Sequence, residues 1–147
     1  MKRIISIVLV VIMLSATGCS TSNISGSYDS ATSDSEKSKM SYKQIDQETV
    51  KEMMSRDDGH VIVDVRTQDE YDTGHIPGAI LIPNESIGNV QPEELPDLNQ
   101  VILIYCRSGN RSKQAAQKFA DIGYTEIYEF GGIIDWDGEI ITGDEKN

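Results

Sequence analysis

The sequence is poor in cysteine, in basic residues and in long apolar runs, and each shortage excludes a class of protein. Two cysteines in 147 residues cannot form a multi-disulfide scaffold or a four-cysteine zinc site. With 13 Lys and Arg against 24 Asp and Glu, the net charge of −11 argues against nucleic acid, whose phosphates attract clustered basic residues. No apolar run reaches the ~20 residues that a transmembrane helix needs. What remains is a small acidic protein with room for one globular domain.

The first 18 residues have the pattern of an export signal. Lys2 and Arg3 provide a basic start, and an apolar run follows over residues 4–14, about half the length of a membrane span. Small residues then lead to Gly18 and Cys19, which resembles a bacterial lipoprotein signal. The resemblance implies that Cys19 is lipidated and that the protein is anchored on the extracytoplasmic face of the cell membrane. Ordinary secretion is the alternative.

Residues 19–40 are predicted to be the lipidated cysteine and a flexible tether. Of the 21 residues from 20 to 40, eight are Ser and two are Thr, and the apolar residues among them show no period. Such a stretch cannot bury enough apolar surface to offset its ordering entropy. No chemistry is expected in this segment beyond the lipid.

Residues 41–147 are predicted to form the folded domain, of α/β class. Strand-like apolar runs alternate with segments of helical pattern. The strands are predicted at 61–65, 79–82, 101–105 and 126–130, and the helices at 46–55, after Thr67, and at 111–122. Residues 84–100 are polar and carry two prolines, so we expect irregular structure there with at most one helical turn. The alternation predicts a parallel sheet covered by helices on both faces.

The chemistry concentrates in the segment from Cys106 to Ser112. Cys106 follows a predicted strand and precedes a predicted helix, so it lies at the edge where open α/β sheets bind ligands. Backbone N–H groups around Gly109 can form a nest for an anion, and the helix N-terminus, Arg107 and Arg111 add positive charge. Each of these lowers the pKa of a thiol, which makes Cys106 a candidate nucleophile. A buried and inert cysteine is the alternative.

This segment closely resembles the active-site loop of single-domain rhodaneses, a family of sulfurtransferases. Further motifs of that family stand in the same order, namely Asp64-Val65-Arg66, Glu70-Tyr71, Gly74-His75-Ile76-Pro77-Gly78-Ala79, and Gly131-Gly132 before Trp136. The resemblance implies a five-stranded parallel sheet with helices on both faces. It implies that Cys106 carries a persulfide, which moves sulfur from a donor such as thiosulfate to a thiol or cyanide, with no cofactor. The predicted cradle of the persulfide is the loop Arg107, Ser108, Gly109, Asn110, Arg111 and Ser112.

Two other functions are alternatives to sulfur transfer. Cys106 and Arg111 are separated by four residues, whereas the similar cell-cycle phosphatases have five, because a phosphate needs a wider ring of donors; phosphatase activity is therefore disfavoured. A redox-sensing or protein-binding module at the cell surface, without turnover, stays open as the alternative.

Asp64, Arg66, His75 and Trp136 each have a structural interpretation. Asp64 and Arg66 end a predicted strand and are candidates for the pocket rim, with an internal ion pair as the stronger alternative. His75 is expected to be structural rather than a general base, and Trp136 to belong to the core. The sequence shows no metal-ligand cluster and no nucleotide motif, so neither a metal nor a nucleotide is predicted. A monomer is the expected state.

Overall fold

The computed structural model describes residues 41–143, which form a five-stranded parallel sheet. The strands are β1 (Lys43–Gln44), β2 (Val61–Asp64), β3 (Ala79–Leu81), β4 (Val101–Cys106) and β5 (Glu126–Gly132). Their order across the sheet is β1-β5-β4-β2-β3, with all four pairings parallel. This confirms the predicted fold class. The predictions on residues 1–40, including Cys19, lie outside the described residues.

Three helices connect the strands, and local sequence explains where they begin and end. They are α1 (Gln47–Met54), α2 (Gln68–Thr73) and α3 (Asn110–Ile122). Asp46 caps α1 by accepting the Thr49 N–H at 2.8 Å, and Thr67 forms a capping box with Glu70 at the start of α2. Short 3-10 turns occur at Asn84–Ser86 and Ile133–Asp135. Within residues 41–143, no helix is long and apolar enough to cross a membrane.

The central strand β4 separates two apolar cores. Its side chains alternate, so that Ile102, Ile104 and Cys106 pack on the side of α3, while Leu103 and Tyr105 pack on the side of α1. Both faces of the sheet are therefore covered, as the near-continuous apolar runs predicted. Cys106 ends this strand in the middle of the sheet, and its side chain belongs to the α3 side.

Two features differ from the strands predicted by pattern alone. The edge strand β1 was not predicted, because its two residues are exposed and carry no apolar alternation. Strand β5 extends through Gly131 and Gly132, two residues past the predicted end. This extension brings Gly132 opposite Cys106, after a register shift between Ile104 and Cys106.

Candidate active site

The thiol of Cys106 lies at the carboxyl edge of the sheet, where the loop after β4 turns into α3. The residue is 1% exposed. Its Sγ accepts a hydrogen bond from the Gly109 N–H at 3.1 Å. Gly109 has φ of +92° and precedes α3 without giving it a side-chain cap, so the free N–H groups of the helix N-terminus remain available to the sulfur.

These contacts make the sulfur acidic despite its burial. Burial raises the pKa of the Cys106 thiol, but hydrogen bonds from the Ser112 hydroxyl and from the N–H groups of Ser112, Ser108 and Gly109 outweigh it. The net pKa therefore lies below the usual value of a cysteine. The loop therefore favours the anionic form of the sulfur, which is the form that nucleophilic chemistry requires.

The end of β5 forms the other wall of the loop. A Cβ at Gly132 would lie 2.3 Å from the Arg107 carbonyl oxygen and 2.6 Å from the Ser108 Cα. The Ile134 N–H also donates to the Arg107 carbonyl at 3.2 Å. Only glycine permits this approach of two backbones, which gives a physical reason for the Gly131-Gly132 pair.

The two arginines of the loop have different environments. The Arg111 guanidinium donates to both carboxylate oxygens of Glu70, at 2.7 and 2.8 Å. These hydrogen bonds lower the pKa of Glu70 to about 2. Arg111 thus links α3 to α2. Because Glu70 neutralises its charge, Arg111 also brings less net positive charge to the sulfur than a free arginine would. Arg107 is exposed, and no carboxylate of residues 41–143 forms an ion pair with it.

The remaining residues of the predicted cradle divide by exposure. Ser108 and Asn110 are exposed, whereas Ser112 is fully buried beneath the loop. The Ser112 hydroxyl donates to Glu129 at 2.6 Å. Glu129 was not singled out from the sequence. The one available signal was its place two residues after Ile127, on the buried face of β5.

Asp64 and Arg66 form a buried ion pair at the end of β2. The Arg66 Nη2 donates to Asp64 at 2.6 Å and to the Gly74 carbonyl at 2.7 Å, and the two residues are 0% and 5% exposed. The pair ties the sheet edge to the segment after α2. The sequence allowed either a position at the pocket rim or an internal ion pair for these two residues, and the structure shows the ion pair.

His75 and Trp136 have structural surroundings. The His75 ring stacks on Tyr71 at 3.6 Å between centroids, and its Nδ1 lies 2.9 Å from the Tyr71 carbonyl oxygen. Trp136 packs against Phe130 and donates its indole N–H to the Glu139 carbonyl. In the part of the chain that the structure describes, no group of His, Cys, Asp and Glu side chains could hold a metal ion.

A parallel α/β sheet with an acidic cysteine cradled by amides at its carboxyl edge defines a class of domain whose candidate reactive group is one sulfur. The chain matches the model of the rhodanese-like domain over residues 46–139 and belongs to that family.

Similar proteins carry sulfurtransferase names. The thiosulfate sulfurtransferase GlpE of Coxiella burnetii (strain RSA 331 / Henzerling II) is 35% identical over 107 residues, which cover 71% of this chain and 96% of that protein. The thiosulfate sulfurtransferase PspE of Escherichia coli (strain K12) is 34% identical over 73 residues, which cover 50% of this chain and 70% of that protein. Among solved structures, a rhodanese-like domain protein from Staphylococcus aureus has a TM-score of 0.59 at 30% identity, with 69% of this chain and 99% of that chain covered.

Proposed function

We propose that this protein is a sulfurtransferase that carries sulfur as a persulfide on Cys106. The observation that supports this most directly is the hydrogen bond from the Gly109 N–H to Sγ, at the uncapped N-terminus of α3. A persulfide anion is larger than a thiolate, and the same N–H groups can stabilise its charge. Relatives named thiosulfate sulfurtransferase support the reaction type.

The first half-reaction loads the sulfur. The Cys106 thiolate attacks the outer sulfur of thiosulfate, a sulfur–sulfur bond forms, and the bond between the two sulfurs of thiosulfate breaks. The electron pair of that bond leaves with sulfite, and the protein holds a persulfide anion. Arg107 is exposed beside the loop, so it can attract the dianionic donor without first breaking an ion pair of the described domain.

The second half-reaction unloads the sulfur. A nucleophile such as cyanide or a thiolate attacks the outer sulfur of the persulfide, and the electron pair of the broken bond returns to Cys106 as thiolate. Cyanide yields thiocyanate, and a thiol yields a new persulfide. No proton donor is required for either step, because the leaving groups, sulfite in the first step and the Cys106 thiolate in the second, both depart as anions.

The test uses the purified full-length protein and thiosulfate. We expect intact mass to rise by one sulfur atom and cyanide to release an equal amount of thiocyanate, while Cys106→Ser does neither. Absence of added sulfur on the wild type would refute the proposal, as would thiocyanate release by Cys106→Ser. Sulfur loading without release to cyanide or to thiols would favour the alternative function, a redox-sensing or protein-binding module without turnover.

We also propose that the protein acts as a lipoprotein outside the cytoplasmic membrane. The support is the order of basic start, apolar run and small residues before Cys19. In the native host, the wild type should partition into the detergent phase and Cys19→Ser into the aqueous phase. Equal partitioning of the two would exclude the lipid anchor.

A further inference from the structure

Beneath the cysteine loop lies a carboxylate that the proposed sulfur transfer does not use. Glu129 is 2% exposed and ends the buried face of β5. Its Oε1 accepts from the Ser112 hydroxyl at 2.6 Å and from the Gly131 N–H at 2.9 Å, and its Oε2 accepts from the Gln44 side chain at 3.1 Å. Within residues 41–143 no Lys, Arg or His forms an ion pair with it. A buried carboxylate paired only with neutral donors is costly to keep, which points to a role in the site.

The Ser112 hydroxyl connects this carboxylate to the sulfur. A hydroxyl has one proton to donate. Glu129 lies nearest to Ser112 Oγ, at 2.6 Å, while the Gly109 carbonyl oxygen lies at 3.0 Å. The Ser112 hydroxyl is also one of the groups that lower the pKa of the Cys106 thiol. Ser112 lies in the first turn of α3, three residues after Gly109, whose N–H donates to Sγ. A charged acceptor at short distance is the stronger competitor for a single proton.

We propose that Glu129 is a positioning residue for the sulfur chemistry: its carboxylate competes with Cys106 for the proton of the Ser112 hydroxyl and so keeps the sulfur more nucleophilic than the loop alone would. This rests on the proposed sulfur transfer for its purpose. The loop amides stabilise the thiolate, and a thiolate that is stabilised too strongly attacks slowly. Glu129 limits that stabilisation while it also fixes the position of Ser112 and of Gly131.

The charges around the sulfur allow this effect to be isolated. Arg111 is held by Glu70, and Arg107 is exposed to solvent screening, so both stay constant when Glu129 is changed. Glu129→Gln keeps the shape and an oxygen that can accept from Ser112 and Gly131, but removes the charge. Glu126→Gln is the matched control, because it removes one charge from the same strand at its other end, where Glu126 is half-exposed and pairs with Lys43.

The experiment measures the thiol itself and does not depend on sulfur transfer. In the full-length Cys19→Ser chain, Cys106 is the remaining thiol, and its rate of reaction with methyl methanethiosulfonate is followed against pH by intact mass. With Glu129→Gln we expect the pKa of Cys106 to fall by about one pH unit, because a nearby negative charge is lost and the hydroxyl turns to the sulfur. The limiting rate constant at high pH should fall about threefold, since nucleophilicity decreases with pKa by a Brønsted factor of about 0.4–0.5. Glu126→Gln should change neither value.

A second pair of variants distinguishes positioning from charge alone. In the Ser112→Ala background, Glu129→Gln should lower the pKa of Cys106 by less than half as much as in the presence of the hydroxyl. An equal fall in both backgrounds, or an unchanged or raised pKa in the folded Glu129→Gln variant, would overturn the proposal. If Glu129→Gln does not fold, Glu129→Asp withdraws the carboxylate from Ser112 but keeps the charge, so a fall in pKa of about half a pH unit or more is expected from the hydroxyl alone; its absence would count equally against the proposal. If the protein did not load sulfur but the thiol showed the expected pKa and rate changes, the proposed function would be refuted and this inference would stand.

Discussion

The contact between Gly132 and the cysteine loop leads to a strong prediction for Gly132→Ala. A Cβ at this position would lie 2.3 Å from the Arg107 carbonyl oxygen and 2.6 Å from the Ser108 Cα, and both neighbours are backbone atoms. No rotamer change can relieve such a clash. Relief requires that the loop and the end of β5 separate by about 1 Å, because non-bonded carbon and oxygen atoms in proteins stay beyond about 3 Å.

The size of the effect follows from this displacement. The Gly109 N–H now lies 3.1 Å from Sγ, and a shift of about 1 Å would break that hydrogen bond. The pKa of Cys106 would then rise toward its usual value, and sulfur loading should slow about a hundredfold. Overpacking of this kind costs about 2–3 kcal/mol of stability, which corresponds to a melting temperature lower by roughly 10–15 °C.

Gly88→Ala is the control for this experiment. A Cβ at Gly88 meets no atom within 4 Å, so this variant should keep wild-type stability or gain slightly through a less flexible unfolded chain. Thiosulfate loading is followed by intact mass at a temperature where the wild type and both variants are folded, and stability is followed by thermal unfolding. If Gly132→Ala loaded sulfur at the wild-type rate with an unchanged melting temperature, the reasoning from backbone contact would be wrong.

Four further predictions concern charge and hydrogen bonding. Because the pKa of Glu70 is lowered to about 2, its ion pair with Arg111 stabilises the fold above pH 4.5 and is lost as the pH falls toward 2; the urea midpoint of Glu70→Gln should therefore depend less on pH in that window. Arg107→Gln should slow thiosulfate loading up to about tenfold at low salt. In the wild type, added salt should raise that rate or leave it nearly constant, since the acidic domain repels a dianion, and a steep fall would contradict this view. Tyr105→Phe leaves the buried Ile76 N–H without its acceptor at 3.1 Å, so unfolding free energy should drop by about 1–3 kcal/mol while loading is unchanged.

The elements that the sequence predicted well are those whose pattern is local. The run from Val101 to Tyr105 is apolar throughout because β4 is covered on both faces. Helix α3 shows its buried stripe at Ala115, Ala116 and Phe119 and ends at Ile122, as predicted, with Gly123 as its C-cap. The position of Cys106 between these two elements followed directly, and with it the candidate site.

What the sequence did not predict depends on contacts between distant segments. The spacing of Thr67 and Glu70 is that of a capping box, and the structure has one, but the pairing of Glu70 with Arg111, 41 residues away, has no local signal. Glu129 was not distinguished from the many acidic residues of an acidic protein. The edge strand β1 forms because Gln44 pairs with Glu129 of the neighbouring strand β5. Its two residues have no strand pattern of their own.

The depth of Cys106 has a consequence for what can react there. Only 1% of the residue is exposed, so a small reagent such as thiosulfate or methyl methanethiosulfonate should reach the thiol more easily than a bulky one. Once loaded, the reactive atom stands about 2 Å further out, the length of a sulfur–sulfur bond. If Cys106 carries a persulfide as proposed, the empty and loaded forms should differ in the size of molecule they admit: the empty form should react slowly with bulky electrophiles, whereas the loaded form should offer its sulfur to larger acceptors, such as a thiol on the surface of another protein. Shape alone would then impose an order on the two half-reactions.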